Sequence, residues 1–122
     1  MGKENIIVGK SYKFAIRIIK LYKFLIDEKK EYVISKQILR SGTSIGANIN
    51  EAQSAESKMD FVHKLGISAK ETRETEYWLN LLKDTNYIDK KSFDSISKDS
   101  SEILKIINSI ILTSKERSNA KK

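Results

Sequence analysis

An all-α fold, an antiparallel up-down-up-down four-helix bundle, is predicted by three observations on the 122-residue sequence. There is no proline, so no residue forces a break in a long helix. Apolar residues recur at steps of three, four and seven over four stretches, which is the period of a helix face and not the alternation of a strand. The segments between these stretches are short, which makes successive helices antiparallel neighbours. The length suits a single domain over residues 1–122, with a core that stands without cross-links. Cysteine is absent, which removes disulfides and thiolate metal sites.

The first helix is expected at about 6–29. Phe14, Ala15, Ile18, Ile19, Leu21, Tyr22, Leu25 and Ile26 fill an arc of roughly 160°, against a little over 100° for a helix covered on one side. Ile16 and Phe24 lie outside even that arc. The extra width predicts a helix covered twice, by its own bundle and by another subunit. Opposite the arc stand Lys10, Lys13, Arg17 and Lys20, at i, i+3, i+7 and i+10. They make a stripe about 15 Å long, with no acidic residue between them.

A charged turn, Asp27 to Glu31, leads to a second helix at about 35–56, with Ser35 as its N-cap. The middle of this helix looks like a loop on propensity. Gly42 and Gly46 each cost about 1 kcal/mol relative to alanine, and Ser41, Thr43, Ser44, Asn48 and Asn50 compete with the helical backbone. Yet Ile34, Ile38, Ile45, Ile49 and Ala52 keep helical time. Two glycines four apart on one side let another backbone approach closely. Gln37, Ser41, Ser44 and Asn48 edge the apolar face and need partners if buried. Ser68, Thr72 and Thr75 are candidates.

The third helix is expected at about 58–84, opened by Ser57 with Asp60 three residues on. Between the second and third helices the chain either kinks or two helices meet nearly end to end. Phe61, Leu65, Ala69, Thr72 and Leu79 form the core stripe, and Ile67, Trp78, Leu81 and Leu82 a second patch. Trp78, the single tryptophan, fits a core and an interface equally. Glu56 and Glu76 fall on apolar faces by phase and call for Arg40, Arg73 or Lys64 as partners. Asn86 is the helix-ending residue. The fourth helix follows at about 91–114, on Phe93, Ile96, Ser100, Ile103, Leu104, Ile107, Ile110 and Ile111, before a fraying basic tail at 115–122.

The run QILRSGTSIGANINEAQSAES, followed by DFVHKLGISAKETRETEYWLNLL, closely resembles the four-helix-bundle proteins called 23S rRNA intervening-sequence proteins. These are reading frames inside insertions in some bacterial large-subunit rRNA genes and elsewhere in bacterial genomes. The similarity extends to KSYKFAIRIIKLYKFL in front and SEILKIINSIILTSK behind. The accessory protein of diversity-generating retroelements is similar as well. The resemblance implies a bundle that assembles into a ring-shaped homo-oligomer, with a pentamer favoured. It implies no established activity. The retroelement relative is basic and binds nucleic acid and a reverse transcriptase, which makes RNA, DNA and such a protein the partners to expect by analogy.

No catalytic constellation is present. His63 is the only histidine, and nothing in the sequence orients it. Asp60-x-x-His63 is half of a di-iron pair whose other half the chain lacks, so no metal and no cofactor are expected. SGTSIG lacks the spacing of a phosphate-binding loop, and no strand precedes it. The start, MGKENIIVGK, is no signal peptide, and no run reaches the ~18 apolar residues of a membrane span. A cytoplasmic, non-enzymatic protein is expected.

The net charge is +7, and it is uneven. Residues 1–30 carry eight basic and three acidic groups, and residues 87–122 carry eight and five. A surplus of this kind argues for an anionic partner. Lys10, Lys13, Arg17 and Lys20, with Lys23, are the candidate nucleic-acid contacts, although most charged helix faces are merely solvated. Ile16, Phe24, Ile67 and Trp78 are the candidate oligomer interface. A scaffold or adaptor whose partner is another protein is the alternative reading.

Overall fold

The computed structural model describes residues 2–120. It contains four helices, α1 (Lys3–Asp27), α2 (Ile34–Gln53), α3 (Lys58–Asp84) and α4 (Lys90–Ala120), and no strand among the described residues. Each helix packs on its neighbours in sequence and α4 packs back on α1, while the backbones of the diagonal pairs stay farther apart. The cross-links run antiparallel throughout. Ser11 and Ile18 of α1 meet Gly46 and Gly42 of α2, and Ser68 and Thr75 of α3 meet Ile45 and Ser41 of α2.

Phe14, Ile18 and Leu25 of α1, Ile38, Ile45 and Ile49 of α2, Leu65, Leu79 and Leu82 of α3, and Ile103 and Ile107 of α4 are almost wholly buried. Each contributes roughly 1.5–3 kcal/mol of burial. Leu82, expected in a second patch, belongs to this core. Phe61 and Phe93 are only half-buried.

The small residues of α2 are where packing needs them. Gly42 lies under Ile18, and a Cβ there would stand 2.7 Å from Ile18 Cγ1. Of the polar edge of α2, Ser41 finds a partner on α3, while Gln37 is exposed; Thr72 of α3 bonds back to the Ser68 carbonyl. Thr75 Oγ1 donates to Ser41 Oγ at 2.9 Å, and Ser68 Oγ to the Ile45 carbonyl at 2.8 Å. Ser44 and Asn48 bond back onto their own helix.

The caps divide between expected and unexpected. Ser57 Oγ accepts from Asp60 N–H at 3.0 Å, as a capping residue does. Asn86 sits at φ 65°, with its N–H on the Lys83 carbonyl and the Tyr87 N–H on that of Leu82. That is a Schellman ending. Ser35, by contrast, is not the cap of α2. It lies inside the helix, and the buried carboxylate of Glu31 does the capping, accepting from Val33, Ile34 and Ser35 N–H at 3.2, 3.0 and 2.7 Å. Burial pushes the Glu31 carboxyl up, but the three N–H groups outweigh it and hold the group below its ordinary value. α4 runs past Ser114 to Ala120, through the segment expected to fray. The last two lysines of that tail lie outside the described residues.

Candidate nucleic-acid interface

The basic stripe runs along the side of α1 that faces α4. Lys10 Nζ is 3.2 Å from Glu102, and Arg17 Nη1 is 2.7 Å from Asp99. Arg17 also donates to the hydroxyl and carbonyl of Ser95. The stripe is free of acidic residues only along α1 itself. In the fold, α4 neutralises two of its four members. These side chains are about 40% exposed, so each pair is worth only ~0.2–1 kcal/mol. The signal that marks them is the acidic pair Asp99 and Glu102 at i, i+3 beside the apolar stripe of α4, although their partners on α1 are seven residues apart.

Lys13, Lys20 and Lys23 are exposed and make no ion pair among the described residues. They carry the positive field of α1 outward. Lys115 and Arg117 are exposed at the C-terminal end of α4. Arg117 lines a groove there with Gly2, Lys3 and Glu4, at the start of α1. Lys115 instead lines a groove with Lys58 and Met59, at the start of α3.

The four candidate interface residues divide between two surfaces. Ile16 and Phe24 are 39% and 40% exposed on α1. Ile67 and Trp78 are half-buried on α3, the helix diagonal to it. Trp78 packs against the core, and its indole N–H donates to Glu74 at 2.9 Å. Tyr12 and Ile19 add to the exposed apolar surface of α1. Tyr12 lines a groove between α1 and α2 with Val8, Gly9, Gly46 and Ala47.

The acidic residues also take partners other than those expected. Glu76 is half-buried and accepts from the Ser100 and Ser101 hydroxyls of α4. Glu56 is exposed. Arg40 bridges Glu71 and Glu74, and Lys64 lies 3.5 Å from Glu51. His63 is exposed, and among the described residues no group of three or more His, Cys, Asp or Glu is placed to hold a metal ion. SGTSIG is helical and buried or half-buried, not a loop open to phosphate. No helix among the described residues is long and apolar enough to cross a membrane.

The family model described as 23S rRNA-intervening sequence protein matches residues 3–109, which takes in all of α1, α2 and α3. The chain belongs to this family. It is similar to a protein of unknown function from the S23 ribosomal protein family of Bacteroides thetaiotaomicron, whose crystal structure was determined at 1.70 Å. The two are 58% identical, with a TM-score of 0.90, over 90% of this chain and 98% of that one. No curated protein matches significantly. The stripe, Asp99, Glu102 and the capping carboxylate of Glu31 all lie within the part matched to the family.

Proposed function

We propose that this member of the intervening-sequence protein family is a non-enzymatic, cytoplasmic nucleic-acid-binding protein that works as a homo-oligomer. The observation that supports it is the set of unpaired lysines on the outer face of α1, Lys13, Lys20 and Lys23, in a chain of net charge +7. Phosphates are bound by such point charges without reading sequence. Lys10 and Arg17 contribute less, because Glu102 and Asp99 already engage them.

The test is fluorescence anisotropy of a labelled structured RNA across a salt series, with duplex DNA beside it. Affinity is expected to fall steeply with salt, with a slope near −0.9 per phosphate contacted on duplex DNA. Lys13→Glu, Lys20→Glu and Lys23→Glu together keep the pairs to α4 intact and are expected to abolish binding with helical content unchanged. Affinity that survives this triple change would remove the stripe from the function.

A second reading, an oligomeric scaffold for another protein, is favoured by the exposed Ile16 and Phe24 on α1 and the half-buried Ile67 and Trp78 on α3. A ring is built from heterologous contacts, which use two different faces of each subunit, and the α1 and α3 surfaces supply two. A pentamer accords with this. Light scattering tests it: Ile16→Asp is expected to reduce the mass, and an unchanged mass would exclude that residue from the contact.

A further inference from the structure

Beside the stripe lies a groove of about 650 Å³, formed where the C-terminal half of α1 meets the α3–α4 turn and the start of α4. That volume is in the range of small-molecule sites. Its apolar surface comes from Leu21, Phe24, Tyr87, Ile88 and Ile96. One wall, on and just beyond α1, carries Arg17, Lys20 and Lys29. The other wall carries Asn86, Asp89 and Ser92. The two walls differ in kind, cationic on one side and hydrogen-bonding on the other.

We propose that this groove takes an unstacked base of a single-stranded nucleic acid, with the neighbouring phosphates on Lys20 and Lys29. The inference rests on the nucleic-acid reading above and extends it to single strands. Phe24 is 40% exposed and lines the groove, so its ring is within reach of a ligand there. The Lys29 ammonium lies 5.8 Å from its ring centroid, so aromatic surface and positive charge come as one unit. Single-strand sites combine these same two elements, an aromatic platform for the base and cations for the backbone.

Asp89 argues against an acidic peptide as the occupant. Its carboxylate accepts the Ser92 N–H at 2.7 Å, and that bond holds it ionised, below the ordinary aspartate range. A second anion against that wall would be repelled. The exocyclic amine of a base would be accepted there, and the Asn86 amide offers both a donor and an acceptor to a base edge.

The experiment uses the full chain and two fluorescein-labelled probes, a 12-nucleotide oligouridine and a 12-base-pair RNA duplex, with the mass of each variant measured by light scattering. Phe24→Ala is expected to weaken the single strand about tenfold and leave the duplex unchanged. Phe24→Trp is expected to restore the single strand. Equal losses on both probes, with or without a fall in mass, would overturn the groove and place Phe24 in a structural or subunit contact. No loss on either probe, with the wild-type protein binding both, would overturn the groove and leave the lysine stripe standing. No binding of either probe by the wild-type protein would overturn both.

Discussion

Gly42→Ala and Gly46→Ala are the same substitution four residues apart on one helix, and they are expected to move stability in opposite directions. In an unhindered helix interior each would gain about 1 kcal/mol, because alanine restricts the unfolded chain and favours the helix. At Gly46 the nearest atoms to a new Cβ are the Ser11 carbonyl oxygen and Oγ, both at 3.4 Å, which is ordinary contact. The gain is therefore kept. At Gly42 the Cβ would stand 2.7, 2.8 and 3.0 Å from Ile18 Cγ1, Cγ2 and Cδ1. Carbon atoms prefer about 3.5–4.0 Å, so the isoleucine must retreat by most of an ångström. It is fully buried, and its β-branch leaves it one strongly preferred rotamer in a helix. Overpacking of this kind costs ~1–3 kcal/mol, which outweighs the propensity gain. The two variants should differ by about 2 kcal/mol, or roughly 6–10 °C in Tm for a domain of this size. Urea unfolding at one fixed protein concentration measures the difference, since any self-association would make stability depend on concentration. Ile18→Ala should be less costly in the Gly42→Ala background than alone, giving a favourable coupling energy. If both alanines stabilise equally, close approach of α1 is not the reason for glycine at position 42.

Glu31→Gln should cost about 1–2 kcal/mol, because a charge-assisted cap is lost from α2. The folded-state pKa of Glu31 lies below its unfolded value. Its contribution is therefore complete above the ordinary carboxylate range and is lost as pH falls through the lowered native value. Urea midpoints compared between pH 7 and pH 3 should show a smaller acid loss in the variant than in the parent. Asn86→Ala should cost about 1 kcal/mol, since φ of 65° is unfavourable for alanine, and Asn86→Gly should cost nothing or gain slightly. Thermal unfolding of the two variants in parallel checks this.

What the sequence makes legible is local. Apolar spacing in steps of three and four marks all four helices, and the helical phase of Ile38, Ile45 and Ile49 prevails over the loop-like composition around Gly42. Ser57 and Asn86 announce their helix ends because capping depends on the few residues around each. The seam of Ser41, Ser68 and Thr75 is legible because these residues share the buried edge of adjacent helices. The pairing of Lys10 and Arg17 is a different matter, since their carboxylates are 92 and 82 residues away. Helical periodicity places a charge on a face, but it does not say which face of a distant helix comes to lie against it. Glu31 escaped because a glutamate cap reaches from outside the helix, past the serine that looks like the natural choice. The groove at Phe24 joins three separate segments, so no single stretch of sequence outlines it.

The hydroxyl seam between α2 and α3 bears on the order in which the chain assembles. Its bonds join residues 23 and 34 positions apart, whereas the contacts from Arg17, Lys10 and Lys3 to α4 close loops of 78 to 106. Loop-closure entropy favours the shorter separations. Pairs of helices that follow one another are thus expected to form before α4 meets α1, and in the central pair directional bonds tie the register, since a slide of one turn would leave three buried hydroxyls to find new partners. α1 and α4, which meet across the longest separations, close on each other last. Until they do, Lys10 and Arg17 have no carboxylates to meet, and the newly made chain carries its full complement of unshielded positive charge on α1. An anion encountered at that moment competes with α4 itself for the same two side chains.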